Sequence, residues 1–395
     1  MSTISFRKTF LTVLPAALVA MAAVASRPAE ATVYTWRDTG STWNTGTNWQ
    51  NLAVPVSSTT NSLLFNGAGS TTNNNIGGTF TQGSIDFGAS AGSYTLTGNG
   101  VRLGSITNGS TATQTFSLGI NQTGAGTYSA NTGKIVIGGA LTGTSAITKA
   151  GSGELEFTTS GKGYTCTLTA NDGTVRFTAS GFNSGNLVLA NASDFVTTSN
   201  SVVKDFTATG NGDITVGEAG IGTLNTGNFD LSGFSGTVAV SSDGQGSLDK
   251  VSTVGTQSFG GTLNISLDFQ PSNFDRLLGG EFWDFFTAAT STGNFTNVNL
   301  LYNSGTYALT NNSGIWTTTG QIAGLGPMDG FLFSTVDTTI TVSGQPVTVV
   351  AGTLYAVPEP STIVFAGIGV AMFGWSTWTR RRANARRRAV EAAIA

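Results

Sequence analysis

The chain has 395 residues with one cysteine, no histidine and a formal net charge of −3. A single cysteine excludes any intrachain disulfide, and the lack of histidine excludes Ser-His-Asp and Cys-His nucleophilic machinery and removes the commonest zinc ligand. Between Thr32 and Val357 nine basic residues stand against 18 acidic ones, a net charge of −9, so a nucleic-acid partner is disfavoured.

Arg7 and Lys8 precede an apolar run from Thr9 to Ala25, and two small-residue sites follow, Ala23-Val24-Ala25 and Ala29-Glu30-Ala31. This is the pattern of a secretory signal helix over residues 1–31, cleaved after Ala31 or alternatively after Ala25. It implies that the secretion machinery is a partner and that the rest of the chain is exported. Pro15 and the many alanines in the run weigh against a permanent N-terminal anchor.

Residues 32–75 hold Trp36, Trp43 and Trp49 in the run TWRDTGSTWNTGTNW. Aromatic faces on a β surface can stack on carbohydrate; buried aromatics can instead cap the open end of a β stack. The cap is the favoured reading, because solenoid ends must be covered.

From 76 to 253 the sequence is rich in Gly, Thr, Ser and Asn, and the chain's 54 glycines are about twice average usage. Runs such as Ser84-Ile85-Asp86-Phe87, Lys134-Ile135-Val136-Ile137 and Glu154-Leu155-Glu156-Phe157 alternate with the two-residue period of half-buried strands. Turn residues separate them, as at Gly138-Gly139 and Asn211-Gly212-Asp213. Asn108-Gly109 and Asp172-Gly173 keep antiparallel hairpins open. Rough self-similarity favours an all-β fold of the parallel β-helix or β-solenoid kind, because stacked coils enclose a narrow apolar core that one coil cannot bury alone. Cys166 reads as a small buried hydrophobe.

Residues 254–356 have longer, more aromatic strands, including Leu263 to Phe269, Phe282 to Phe286, Phe331 to Phe333 and Thr338 to Val342, and read as a separate membrane-proximal β-region. Residues 357–395 follow. Thr362 to Thr379 carries no charge and as a helix spans about 27 Å, enough to cross a bilayer core once. Trp375 and Trp378 suit the interfacial belt, and Arg380, Arg381, Arg382, Arg386, Arg387 and Arg388 act as a stop-transfer cluster that places the tail in the cytoplasm.

Acidic candidates for chemistry are Glu154 with Glu156, Asp213 with Glu218, and Asp268, Asp275, Glu281 and Asp284. Glu154 and Glu156 lie two apart, hence on one face of a strand, as a paired-carboxylate glycosidase requires. A solvated outer face accounts for them without catalysis and is the favoured reading. Gly210-Asn211-Gly212-Asp213 reads as a turn rather than a calcium loop. No residue set reads as catalytic, as a cofactor site or as a metal site.

Val357-Pro358-Glu359-Pro360-Ser361-Thr362, then the apolar helix and the arginines, closely resembles the PEP-CTERM sorting signal. The resemblance implies that an exosortase, a transpeptidase-like membrane enzyme, reads Pro358, Glu359 and Pro360 and releases the protein from an inner-membrane intermediate to the cell surface or extracellular matrix. Ile147-Thr148-Lys149-Ala150-Gly151-Ser152-Gly153-Glu154-Leu155-Glu156-Phe157 resembles the L-x-K-x-G-x-G-x-L-x-L unit of autotransporter-associated β-strand repeats, which implies a β-helical passenger. The continuation at Gly161-Lys162-Gly163-Tyr164-Thr165-Cys166 departs from that family's N-x-Y-T-G. The expectation is a non-catalytic structural or adhesive surface protein, with extracellular polysaccharide left open as a partner. The alternative is a β-helical carbohydrate-active enzyme or a carbohydrate-binding surface protein.

Overall fold

Segments that alternate apolar and polar residues bury every second side chain when extended, and the glycine- and asparagine-rich breaks between them turn the chain at short intervals. The computed structural model describes residues 31–159, 163–179, 185–218, 220–244, 247–267, 282–302, 304–318, 328–342 and 345–358. The signal helix with Ala25, the C-terminal helix, Glu359, Pro360 and the arginine cluster lie outside these residues, as do Asp268, Asp275 and Glu281. The chain forms a parallel β-solenoid, and the short 3-10 segment Gly46–Asn48 is the one helix among the described residues.

Each coil gives one strand to one sheet and either one long strand or two short ones to the other, as Leu141–Gly143 and Ile147–Ala150 do. In one sheet Lys134–Ile137 lies between Thr113–Phe116 and Glu154–Phe157, parallel to both. In the other, Ile147–Ala150 lies between Gly126–Ala130 and Thr167–Ala170. The coils are in register, so Ile135, Leu155 and Val175 stack, as do Ile137, Phe157 and Phe177. All six are buried, and each contributes roughly 1.5–3 kcal/mol relative to exposure. The central phenylalanines form a ladder through the core, with centroid separations of 5.4 Å for Phe157–Phe177, 5.3 Å for Phe177–Phe195 and 5.0 Å for Phe206–Phe229. Asn108-Gly109 and Asp172-Gly173 are corners between parallel strands rather than hairpin turns.

The repeat-like unit at 147–157 has a direct physical reading. Ile147, Leu155 and Phe157 point into the core. Gly151 adopts φ +75°, and a Cβ there would stand 2.4 Å from the Ala130 carbonyl oxygen. A Cβ on Gly153 would stand 2.0 Å from the Gly133 oxygen. Both glycines are needed because consecutive coils touch backbone to backbone at this corner.

Side-chain hydrogen bonds between neighbouring coils span 19 to 24 residues from Ser152–Asn131 to Asp205–Asn228. Beyond, the separations grow to 28 at Asn228–Thr256 and 34 to 35 at Thr256–Thr290 and Thr262–Asn297. Parallel pairing nonetheless continues past Val254, as far as Thr262–Leu267 on Asn297–Tyr302. The change of texture at 254 therefore marks longer coils, and the solenoid itself ends some fifty residues later.

From Asn297–Tyr302 onward the pairing is antiparallel. Gly305–Asn312, Ile315–Thr318, Met328–Ser334, Thr353–Pro358 and Phe282–Asp284 follow in spatial order. One face of this sheet adds Trp283, Trp316, Phe331, Phe333, Leu354 and Ala356 to the solenoid core. Its other face packs Ile315, Leu332, Tyr355 and Val357 against Ile340 and Val349 of the hairpin Thr338–Val342 and Gln345–Val349.

Candidate functional site

The sequence singles out Glu154 and Glu156, and the structure sets both on the outer face of one sheet. There the in-register column Thr113, Lys134, Glu154, Thr174 runs beside the column Thr115, Val136, Glu156, Arg176. Lys134 Nζ lies 2.7 Å from Glu154 and 2.5 Å from Glu156. Arg176 Nε donates to Glu154 Oε2 at 3.0 Å, and its terminal nitrogens reach Glu218. Burial pushes the Glu154 carboxyl up, but the hydrogen bonds and charges of Lys134 and Arg176 outweigh it and hold the group below its ordinary value. A general acid needs the opposite shift. The cluster is an ion ladder that ties together the strands at Lys134, Glu154 and Arg176.

Glu218 belongs to this ladder. Its sequence partner Asp213 stands elsewhere, in register with Thr237, and its backbone N–H donates to Asp194 Oδ1 at 2.9 Å. Asp284 accepts from the Thr353 hydroxyl at 2.8 Å within the closing sheet. Cys166 is half-buried against the core. Among the described residues no group of three or more Cys, Asp or Glu side chains could hold a metal ion.

Trp36, Trp43 and Trp49 are buried, at 2, 0 and 0% exposure, so their faces are closed to a stacked sugar. They meet edge to face, with centroids 5.0 Å apart for Trp36–Trp49, and Trp43 packs on Phe65 and Phe80 of the first coils. Trp43 Nε1 donates to Thr72 Oγ1 at 3.0 Å and Trp49 Nε1 to the Trp43 carbonyl at 2.9 Å. Beside them Tyr94 donates its hydroxyl to the Asp38 carboxylate at 2.8 and 2.9 Å. Burial first, then this bond, pushes the phenol up to about 12.

Two buried charges were not singled out in the sequence. Lys149 has 0% exposure, and its ammonium donates to the carbonyls of Ala150 at 3.2 Å, Gly151 at 2.5 Å and Asp172 at 2.7 Å. Three protons meet three acceptors across two coils. Its parity with Ile147 was the available signal. Asp249, 1% exposed, accepts from Gly222 N at 2.8 Å and from Ser241 N and Oγ at 2.7 and 2.6 Å. Burial raises this carboxyl despite those bonds. No local pattern in Leu248-Asp249-Lys250 marks it.

The outer faces away from the ladder present hydroxyls and amides. Thr127, Thr148 and Thr169 form one in-register column, and Asn264 and Asn299 another, joined at 2.9 Å. Pro358 ends the last described strand, Thr353–Pro358, which is flanked on both sides by antiparallel neighbours. Compared with protein-family models, curated proteins and solved structures, the chain matches none.

Proposed function

We propose that this chain is an exported, non-catalytic structural and adhesive protein of the bacterial cell surface or extracellular matrix. In this reading the secretion machinery takes it to the inner membrane and an exosortase sorts it at Pro358-Glu359-Pro360. The observation that carries the reading is the run of the strand Thr353–Pro358 up to the first residue of that motif. Leu354, Tyr355, Ala356 and Val357 are buried between Met328–Ser334 and Phe282–Asp284. A cut upstream of Thr353 would remove a central strand, whereas a cut beyond Pro358 leaves every described strand in place. The uncharged hydroxyl and amide columns suit contact with neighbouring polymers without turnover.

The test is the intact mass of the surface-exposed form in strains with and without active exosortase. The expected product lacks the residues beyond Thr362 only when the enzyme is active. Their retention in its presence would leave a simple anchor and overturn the sorting reading. Incubation with a polysaccharide panel tests the enzyme alternative, and product formation lost on Glu154→Gln would overturn the non-catalytic one.

A further inference from the structure

Beside the buried indoles, at the N-terminal end of the solenoid, the surface opens into a cleft of about 570 Å³ whose walls include Trp36, Arg37, Asp38, Gln50, Leu52 and Asn66. Its volume falls within the range of small-molecule sites. We propose that this cleft binds a neutral sugar unit of an extracellular glycan. The proposal deepens the adhesive part of the function proposed above and rests on it only for the place where the glycan is met.

The chemistry of the walls selects the ligand class. Arg37 is exposed and forms no ion pair among the described residues, and one carboxylate, Asp38, balances it. A phosphate or carboxylate ligand would meet Asp38, and a divalent cation would meet Arg37 and find a single carboxylate. An apolar ligand would strip water from a guanidinium, a carboxylate and two amides without replacing its hydrogen bonds. Vicinal hydroxyls donate and accept at once, and planar guanidinium, carboxylate and amide groups can address them two at a time. Leu52, 63% exposed, offers an apolar ledge for the C–H face of a pyranose.

The cleft is also held in shape. Asp38 and Leu52 have φ of +56° and +54°, two of the five non-glycine residues with positive φ among those described. Such backbone is costly for a bulky side chain and gathers at binding sites. Tyr94 clamps the Asp38 carboxylate and accepts the Gly67 N–H at 3.0 Å. A Cβ on Gly67 would stand 1.6 Å from Asp38 Oδ2, so glycine is required for this approach.

The experiment applies the full-length chain, fluorescently labelled, to an array of neutral, acidic and sulfated glycans, and repeats it with Arg37→Ala, Gln50→Ala and the distant, exposed Lys204→Ala. Binding to at least one neutral glycan is expected, weakened about tenfold by either cleft substitution and unchanged by Lys204→Ala. Circular dichroism checks that each variant is folded, and Gln50→Ala, at an exposed position, carries the test if Arg37→Ala is not. Absence of binding to any neutral glycan overturns the proposal, as does binding that both cleft variants retain or that Lys204→Ala also abolishes. The sorting proposal is read by mass and is untouched by any of these outcomes.

Discussion

Replacing Lys149 with Met keeps the unbranched apolar stem of the side chain and deletes its ammonium. Three carbonyl oxygens, of Ala150, Gly151 and Asp172, then lose a buried charged donor, at about 1–3 kcal/mol each. Against this, the variant no longer buries a charge. Burial pushes Lys149 from 10.5 down to about 8, which corresponds to roughly 3 kcal/mol of relief. The net expectation at pH 7 is a loss of about 3 kcal/mol, read from guanidinium unfolding. The pH dependence has a definite sign. A lysine whose folded value lies below its unfolded one leaves the unfolded chain holding more protons, so wild-type stability rises as pH climbs from about 8 toward 10.5. The variant lacks that rise, so the gap between the two widens with pH. Hydrogen exchange should locate the weakening at the corner joining Ile147–Ala150 to Glu154–Phe157 and at the next corner around Asp172. A variant within 0.5 kcal/mol of wild type at pH 7, or one with the same slope between pH 8 and 9.5, would refute the clamp.

Two further substitutions probe the core and the ladder. Trp43→Ala removes a fully buried indole and its bond to Thr72; about 3–5 kcal/mol should be lost, measured as a lower unfolding midpoint with the far-UV circular dichroism of the folded chain unchanged. Glu154→Gln tests the acid limb. Because the Glu154 carboxyl lies below its ordinary value of 4.5, its contribution is fully present above that value and disappears as pH falls through the folded one. The variant should therefore show a flatter decline of stability below pH 4.5, and an unchanged acid profile would remove Glu154 from the ladder.

Much of the fold was legible because a solenoid is written in local patterns. Alternation at Lys134–Ile137 and Glu154–Phe157 gave the strands, and parity gave the buried face of the first, whereas in the second Glu156 is buried along with Leu155 and Phe157. The stacking direction was less accessible. Asn108-Gly109 and Asp172-Gly173 are hairpin signals by local chemistry, yet here Asn108 turns its amide onto the Ala112 and Lys134 carbonyls, at 2.8 and 3.1 Å, and stabilises a coil corner. Such a corner depends on the coil above, which lies 26 residues away in sequence. The same limit applies to Glu154. Its shared strand face with Glu156 was readable, but the opposing charges of Lys134 and Arg176 come from the two adjacent coils. Asp249 takes its bonds from Ser241, eight residues back, and Gly222, 27 residues back, and the cleft at Arg37 and Asp38 draws on segments as far on as Gly67; nothing in their immediate neighbours announces them.

The two ends of the stack solve the same physical problem differently. A parallel coil left uncovered exposes its apolar core and a row of unpaired backbone groups. At the N-terminal end, Val33–Thr35 takes the edge of Ser58–Phe65, and the buried indoles pack over the core beside it. At the C-terminal end, Gly305–Asn312 folds back antiparallel on Asn297–Tyr302, so no further coil is needed to satisfy that edge. The antiparallel sheet has a second consequence. Its hydrogen bonds run perpendicular to the strands, so tension applied at Pro358 along Thr353–Pro358 loads the bonds to Met328–Ser334 and Phe282–Asp284 together rather than one at a time. A parallel coil ending at the same point would peel from its last corner. A closing sheet with its final strand held from both sides is thus suited to a chain held through that strand, as the inner-membrane intermediate would be before the proposed sorting at Pro358-Glu359-Pro360.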